Sequence, residues 1–264
     1  MRVVVCMKQV VDPLTPATDL TLDQAATKIR QAVPGPPVIN GYDEQALEAA
    51  LRLKESQGDL EVVGLSLGDK FDNDVMKRSI AVGADTLVLV QDPTLDTWDS
   101  RLVATALAAA IAHLGGADLV LCGRQASDWD HGVVPLLLAD ALGMPCLTLA
   151  REVTVTGQTV QVDRVLSDGT QVMTADLPAV VTVTSELGTL RMPTARARLA
   201  TARVQPTVVP LAALGVTAVP PAAVTSDLSI PVVGRACTFI DAADPAAAGR
   251  QLAEAILAAT GGAA

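Results

Sequence analysis

The sequence predicts an α/β fold: a doubly wound, mostly parallel sheet carrying a small antiparallel hairpin and a C-terminal arm. Three observations predict it. Short apolar runs alternate with segments of helical periodicity through the first half of the chain, which is the pattern of right-handed strand–helix–strand crossovers. One of those runs, Leu119 to Cys122, is apolar at every position, as befits a strand buried on both faces of a parallel sheet. After Cys146 the apolar period falls to two, the signature of antiparallel strands.

Taken in order, Arg2 to Met7 is the first strand and runs into Lys8-Gln-Val-Val-Asp-Pro13. A polar, proline-containing excursion follows to about Ile39, too irregular to be core. Asn40-Gly-Tyr-Asp43 opens a helix through about Ser56. Asp43 stands where an N-cap belongs, and Ala46, Leu47, Ala50, Leu51 and Leu53 form the apolar face. Leu60 to Ser66 is a strand ending in Leu67-Gly68, and Asp72 to Val82 is a helix. Thr86 to Val90 is a strand and Asp99 to Leu114 an alanine-rich helix. The run at Leu119 ends at Gly123, and a polar loop reaches Gly132. Helical spacing then begins at Val133 and is stopped by Gly143 and Pro145. Such a sheet gathers the loops at Met7, Ser66 and Gly123 along its carboxyl edge, near the start of the Asn40 helix.

Beyond Cys146, Glu152 to Val162 and Gln171 to Thr174 form a hairpin with a third strand, turning at Thr156-Gly-Gln158. Leu177 to Thr184 returns to a buried-strand pattern. From about residue 205 to 240, Pro206, Pro210, Pro220, Pro221 and Pro231 interrupt an apolar stretch without clear period, and a helix closes the chain from Pro245 to Ala259. We read residues 1–204 as the α/β core and 205–264 as an arm and helix. An apolar arm that cannot build its own core packs on something, either its own domain or a partner subunit.

Composition narrows the function classes. Of 264 residues half are hydrophobic but only 2% aromatic, so the core is built from Val, Leu and Ala. A net charge of −10, a pI near 4.6 and the absence of a basic run exclude an electrostatic nucleic-acid surface. No apolar stretch approaches the roughly 18 residues of a membrane span, and the N-terminus enters a strand without a signal-peptide pattern. Cys6, Cys122, Cys146 and Cys237 show no CxxC spacing and read as reduced cysteines of a cytoplasmic protein. Two histidines, His113 and His131, have no ligand spacing around them, so no metal site is expected.

Chemistry concentrates after the central strand. Strand, glycine, polar loop and helix is how an open α/β sheet presents backbone N–H groups to an anion at a helix N-terminus. Asp128 and Asp130 suit ribose hydroxyls or loop N–H groups better than a phosphate. An ordinary crossover with a capped helix fits the same residues.

Several segments carry a family resemblance. They are Met1-Arg-Val-Val-Val-Cys-Met-Lys-Gln-Val-Val-Asp12, Asn40-Gly-Tyr-Asp-Glu-Gln-Ala-Leu-Glu-Ala-Ala50 with Arg52-Leu-Lys-Glu55, and Ser79-Ile-Ala-Val-Gly-Ala-Asp85. Cys122-Gly-Arg-Gln-Ala-Ser-Asp-Trp-Asp130 and Leu177-Pro-Ala-Val-Val-Thr182 complete the set. In this order, over about residues 1–200, they resemble the electron transfer flavoprotein β subunit.

The resemblance implies a Rossmann-like, adenine-nucleotide-binding core in one half of a heterodimer. The α subunit is the partner and holds the exchanging FAD at the interface. The pair carries electrons between a flavin-dependent dehydrogenase and an acceptor such as a quinone oxidoreductase. The β subunit holds its own adenine nucleotide, AMP in the housekeeping branch and a second FAD in bifurcating members. Carried onto this chain, the nucleotide site comprises Cys6, the turn Asn40, Gly41, Tyr42 and Asp43, and Leu67. The rest comes from Gly123, Arg124, Gln125, Ala126, Asp128, Asp130, His131, Gly132, Val133 and Val134. The chemistry is the flavin's, so no catalytic residue is assigned and the chain is expected to be an electron carrier, not an enzyme. Some members work within bifurcating flavoenzyme complexes.

The departures are specific. Pro135 stands where the family has glycine and backbone approaches phosphate, and it lacks an N–H. Trp129 replaces a small or acidic residue and either stacks on a base or caps the loop. His131 either contacts phosphate or is structural. Lys8-Gln-Val-Val-Asp12, Arg124, Asp128-Trp-Asp130 and Val183-Thr-Ser-Glu186 look closer to the nitrogen-fixation-associated and bifurcating branch, and a guanidinium at 124 suits a dinucleotide, favouring FAD over AMP. The dehydrogenase-anchoring leucine of the family falls on Ala195, with Arg196 beside it, while Arg191 and Thr194 keep the pattern. Two rival classes remain: a free-standing nucleotide sensor of the universal-stress kind, and an adenylating hydrolase, which needs a glycine-rich loop that Lys8-Gln-Val-Val is not.

Overall fold

Apolar runs with no polar face need cover on both sides, and the chain supplies helices to both. The computed structural model describes residues 1–23, 29–32, 35–93, 95, 97–216, 225–230 and 237–261. Two compact units result, Met1–Leu228 and Ser229–Ala264.

The first unit begins with β1 (Arg2–Cys6), followed by the short strands β2 (Gln9–Val10), β3 (Leu20–Leu22), β4 (Ile29–Gln31) and β5 (Val38–Ile39). Then come α1 (Gly41–Gln57), β6 (Glu61–Gly68), α2 (Asn73–Met76), α3 (Arg78–Val82), β7 (Thr86–Gln91) and α4 (Ser100–His113). The central crossover is β8 (Leu119–Gly123) to α5 (Val134–Leu142). Beyond it lie β9 (Cys146–Thr156), β10 (Thr159–Leu166), β11 (Gly169–Asp176), β12 (Ala179–Val183), α6 (Ala195–Thr201) and β13 (Thr207–Val209). The second unit contains α7 (Pro245–Ala259), which buries none of its residues.

Nine strands form one sheet in the order β11-β10-β9-β12-β8-β1-β6-β7-β13. From β9 to β13 every neighbouring pair is parallel. The chain starts at β1, moves out through β6 and β7, and returns to the other side of β1 at β8. The direction of winding therefore reverses between β1 and β8, the place where open α/β sheets bind ligands outside the carboxyl ends of their strands.

The central strands divide their side chains between two layers by simple alternation. Val3, Val5, Leu119 and Leu121 pack with Leu47 and Leu51 of α1. Val4, Cys6, Val120 and Cys122 pack on the other face with Leu107 and Ile111 of α4 and Leu138 of α5. The register Cys6↔Cys122 brings the last side chains of β1 and β8 level under α4 and α5.

Several sequence expectations shift. The period-two region folds as the expected antiparallel hairpin with a third strand; what the sequence did not show is that β9 also pairs parallel with β12, so the β9–β10–β11 meander extends the main sheet. Between Gln9 and Ile39 the chain forms two small antiparallel pairs, β2 with β5 and β3 with β4, and Val10 and Ile39 are buried. Its residues 24–28 and 33–34 lie outside the described residues. The helix expected over Asp72–Val82 is two short helices, with Asp72 capping the first through bonds from Asp74 and Val75 N–H. The proline-broken stretch after residue 204, set apart from the core in the sequence, begins inside the sheet, because Thr207–Val209 pairs with Val88–Val90 of β7. Pro220, Pro221 and Pro231 lie outside the described residues.

Candidate functional site

The site is assembled by the first turn of α1. The sequence placed Asp43 as the N-cap of that helix; in the structure Asn40 is the N-cap residue and α1 starts at Gly41. The reason is competition for the carboxylate. Two N–H groups at the strand ends face it: Lys8 N–H donates to Oδ2 at 2.8 Å and Gly123 N–H to Oδ1 at 3.0 Å. One buried carboxylate thus ties the ends of β1 and β8 together. The Asn40 side chain likewise reaches past its own helix, accepting from Ser127 N–H at 3.2 Å and donating to the Gln125 carbonyl at 2.8 Å. Asn40 N–H in turn donates to the Lys8 carbonyl at 2.8 Å.

Gly123 is required by this arrangement. A Cβ there would lie 2.5 Å from Asp43 Oδ1, 2.6 Å from Tyr42 Cβ and 2.7 Å from the Tyr42 carbonyl carbon. Only glycine lets the start of α1 press on the end of β8 this closely. Gly123 was expected to end the strand and to belong to the nucleotide site; the contact that requires a glycine there is with the start of α1.

Burial pushes the Asp43 carboxyl up to about 7, against the pull of its bonds from Lys8 N–H, Asn40 and Gly123 N–H and the charge of Lys8. The Cys122 thiol is pushed well up by its hydrogen bond to Cys6 and by burial. Cys6 and Cys122 are buried in the apolar layer under α4 and α5 and form part of the cleft floor.

A cleft opens at the β1/β8 switch point. Its strand side is Cys6, Leu67, Cys122 and Gly123, with Asn40 and Asp43 behind. Its loop side is Gln125, Ala126, Trp129, His131, Gly132, Val134 and Pro135. The wall opposite belongs to α4 and the turn before it: Thr97, Trp98, Ser100, Val103 and Leu107. Sequence reasoning missed this wall. The signal available for it was Trp98, one of only two tryptophans, directly before the N-cap Asp99.

Of the residues assigned from the sequence, Cys6, Asn40, Asp43, Leu67, Gly123, Gln125, Ala126, His131, Gly132 and Val134 line the cleft. The others surround it. Gly41 is the first residue of α1 and Val133 the exposed N-cap of α5. Asp128 forms an ion pair with Lys8 Nζ at 2.7 Å. Asp130, at φ 52°, accepts from Gln125 Nε2 at 2.8 Å and so stiffens the loop. Arg124, whose neighbours Gly123 and Gln125 both line the cleft, instead lays its guanidinium 4.9 Å from the Tyr42 ring centroid and donates to the Tyr42 hydroxyl at 3.2 Å. Pro135 falls in the first turn of α5, where its missing N–H costs no helical bond.

A second charged constellation holds the chain after β12. Arg191 donates from Nε to Glu48 at 3.0 Å, from its backbone N–H to the same carboxylate at 3.1 Å, and also pairs with Glu55. Arg52 adds a bond to Glu48 at 3.1 Å and one to the Leu187 carbonyl at 3.0 Å. Among the described residues no group of three or more His, Cys, Asp or Glu could hold a metal ion, and no helix is long and apolar enough to cross a membrane.

Fold and cleft together define an open α/β protein with a cleft at the switch point of the sheet. The electron transfer flavoprotein domain model matches residues 32–214. The chain is 36% identical over 203 residues to the electron transfer flavoprotein subunit beta of Megasphaera elsdenii, which spans 74% of this chain and 73% of the relative. It is 34% identical over 188 residues to the caffeyl-CoA reductase–Etf complex subunit CarD of Acetobacterium woodii, spanning 71% and 70%. Against the electron transfer flavoprotein subunit beta of Mycobacterium leprae it is 30% identical over 223 residues, 81% of each chain. This chain belongs to the electron transfer flavoprotein family, as a β subunit. It is an electron-transfer subunit of a flavoprotein and not an enzyme in its own right, and its subunit type implies an α partner. Membership removes the free-standing sensor and the adenylating hydrolase.

Proposed function

We propose that the cleft binds an adenine nucleotide, and that the chain, joined to its α subunit, helps hold the FAD that carries electrons between a flavin-dependent dehydrogenase and an acceptor. One observation carries this reading: four loops far apart in sequence converge at the β1/β8 switch point, and a single buried carboxylate, Asp43, fixes three of them. The first turn of α5 offers backbone N–H groups to the α-phosphate at Gly132, Val133 and Val134. Asp130, whose carboxylate accepts from Gln125 Nε2 at 2.8 Å, is our candidate for the ribose hydroxyls. Cofactor-binding roles for Gly41, Tyr42, Arg124 and Asp128 are then supporting ones, through the turn, the Lys8–Asp128 ion pair and the Arg124–Tyr42 contact that shape the loop.

Whether the nucleotide ends as AMP or continues as FAD distinguishes a simple carrier from the bifurcating branch. The experiment is the flavin-to-protein ratio of the purified heterodimer, with released nucleotide identified by chromatography. Two FAD per heterodimer identify the bifurcating type; one FAD plus one AMP identifies the carrier type. A heterodimer with no nucleotide beyond one FAD refutes nucleotide binding at this cleft.

The second unit is proposed to pack on the α subunit in the cytoplasm. Leu252, Ile256 and Leu257 of α7 and Phe239 are exposed, an apolar set suited to a partner. Because Thr207–Val209 belongs to the sheet, the informative truncation is after Leu228. Usual acyl-CoA dehydrogenases are expected to dock weakly, since Ala195 opens α6 where an anchoring leucine would sit.

A further inference from the structure

Both tryptophans of the chain are at the cleft, and neither belongs to the strand ends or to α5. Trp98 precedes α4; Trp129 lies on the loop after β8, thirty-one positions later. Their ring centroids are 4.2 Å apart with planes inclined at 67°. Two rings at that angle form a corner in which a third flat ring can lie face-on to one and edge-on to the other, the two arrangements aromatic pairs prefer. His131 flanks Trp129 from 5.5 Å.

Trp129 is held in place with care. Asp130 N–H donates to the Ala126 carbonyl at 2.8 Å, and Asp130 occupies the left-handed region at φ 52°, which aspartate adopts more readily than most residues and which turns the loop. The Gln125 amide bond to the Asp130 carboxylate maintains that turn. Both indoles are only half-buried while lining the cleft, so they present surface to it and do not merely fill the core. The wall beside Trp98 is apolar, from Val103 and Leu107, and Gly132 and Val134 at the start of α5 line the same cleft. An amphiphilic ligand with a flat ring at one end and an anion at the other fits that polarity.

We propose that Trp98 and Trp129 are the base platform of this site, stacking the adenine ring and thereby directing the phosphate toward α5. The proposal rests on the adenine-nucleotide reading above and adds residues of the α4 wall to it.

Since these are the only tryptophans, the emission of the full-length chain reports on this corner alone. The test titrates the chain, freed of bound nucleotide, with AMP and separately with ribose 5-phosphate. It follows tryptophan emission and heat of binding in wild type, Trp98→Ala, Trp129→Ala and Trp129→Phe. AMP should change the emission saturably, and ribose 5-phosphate, which lacks the base, should not. Each alanine variant should bind AMP about tenfold more weakly or worse, as loss of a base-stacking ring does, and Trp129→Phe should recover most of that loss. Melting temperatures of the nucleotide-free variants separate this from misfolding, and wild-type emission needs no variant. Unchanged AMP affinity in both alanine variants, with wild-type emission indifferent to AMP, overturns the platform while leaving the nucleotide site standing. A wild-type chain that binds no AMP by heat overturns the site itself, and the platform with it.

Discussion

Two buried carboxylates on α1 stand five residues apart and behave in opposite ways. Asp43, in the first turn, receives hydrogen bonds from the backbone amides of Lys8 and Gly123 and from Asn40; burial prevails and its carboxyl rises to about 7. Burial also pushes Glu48 up, but the side-chain and backbone bonds from Arg191, and then that from Arg52, together outweigh it and hold Glu48 below the usual glutamate range. Where the counter-charge is a guanidinium, a buried acid remains an ion; where it is a set of amide dipoles, the acid is balanced near neutrality. The first arrangement anchors the chain after β12. The second holds the switch point with a group whose charge responds to pH in the working range.

The largest test breaks the Glu48 half. Arg191→Leu leaves a buried carboxylate with Arg52 as its remaining partner and removes the pair with Glu55. Loss of one member of a buried pair costs about 3 kcal/mol, here at the lower end because Arg191 is partly exposed. Urea unfolding should show that loss, and a change below about 1 kcal/mol would mean Glu48 is stabilised without Arg191.

Next comes Asp43. In the folded chain it binds a proton up to about pH 7, whereas the unfolded side chain releases it near 3.8. Between those values the folded state holds more protons, so Asp43 makes stability fall as pH rises from about 4 to 7, and flat above. Glu48 acts with the opposite sign: its contribution is full above the ordinary glutamate pKa of 4.5 and is lost as pH falls through its lowered folded value. Asp43→Asn should remove the downward slope between pH 4 and 7. It should also cost about 1–3 kcal/mol, because an amide can accept from one of the two N–H groups but turns its own NH₂ toward the other. A variant that keeps the wild-type slope in this window would assign that slope to another group.

The same two acids show what a sequence can and cannot reveal. The sheet was legible because apolar runs and their spacing are local signals, and the cleft because Gly123 and the Asn40 turn interrupt them at the carboxyl edge. The job of Asp43 was not: an acid at the start of a helix looks like a cap, and the two amides that claim it come from positions 8 and 123. Likewise the α4 wall is invisible to periodicity, since Val103 and Leu107 read only as an apolar helix face. The strand Thr207–Val209 was hidden by the prolines around it, which permit an edge strand of three residues and no more. Function beyond the family is hardest to read where the chain departs from it, at Trp129 and Pro135.

The smallest effect isolates charge from geometry at Asp43. Lys8 contributes twice: its backbone N–H donates to Asp43 directly, and its ammonium, paired with Asp128 at 2.7 Å, lies close enough to favour the ionised carboxylate. Lys8→Met keeps the first contribution and deletes the second. The pair it breaks is more than a quarter exposed on both sides, so the stability loss should be only about 0.5 kcal/mol. The informative change is elsewhere. Removing a positive charge that lowers the Asp43 pKa should move its titration midpoint upward, seen by carbon-13 NMR of the carboxyl, and high salt should shift wild type in the same direction. A midpoint that stays put in Lys8→Met would show that the carboxylate is set by burial and amide bonds alone, which would make the contrast with Glu48 sharper still.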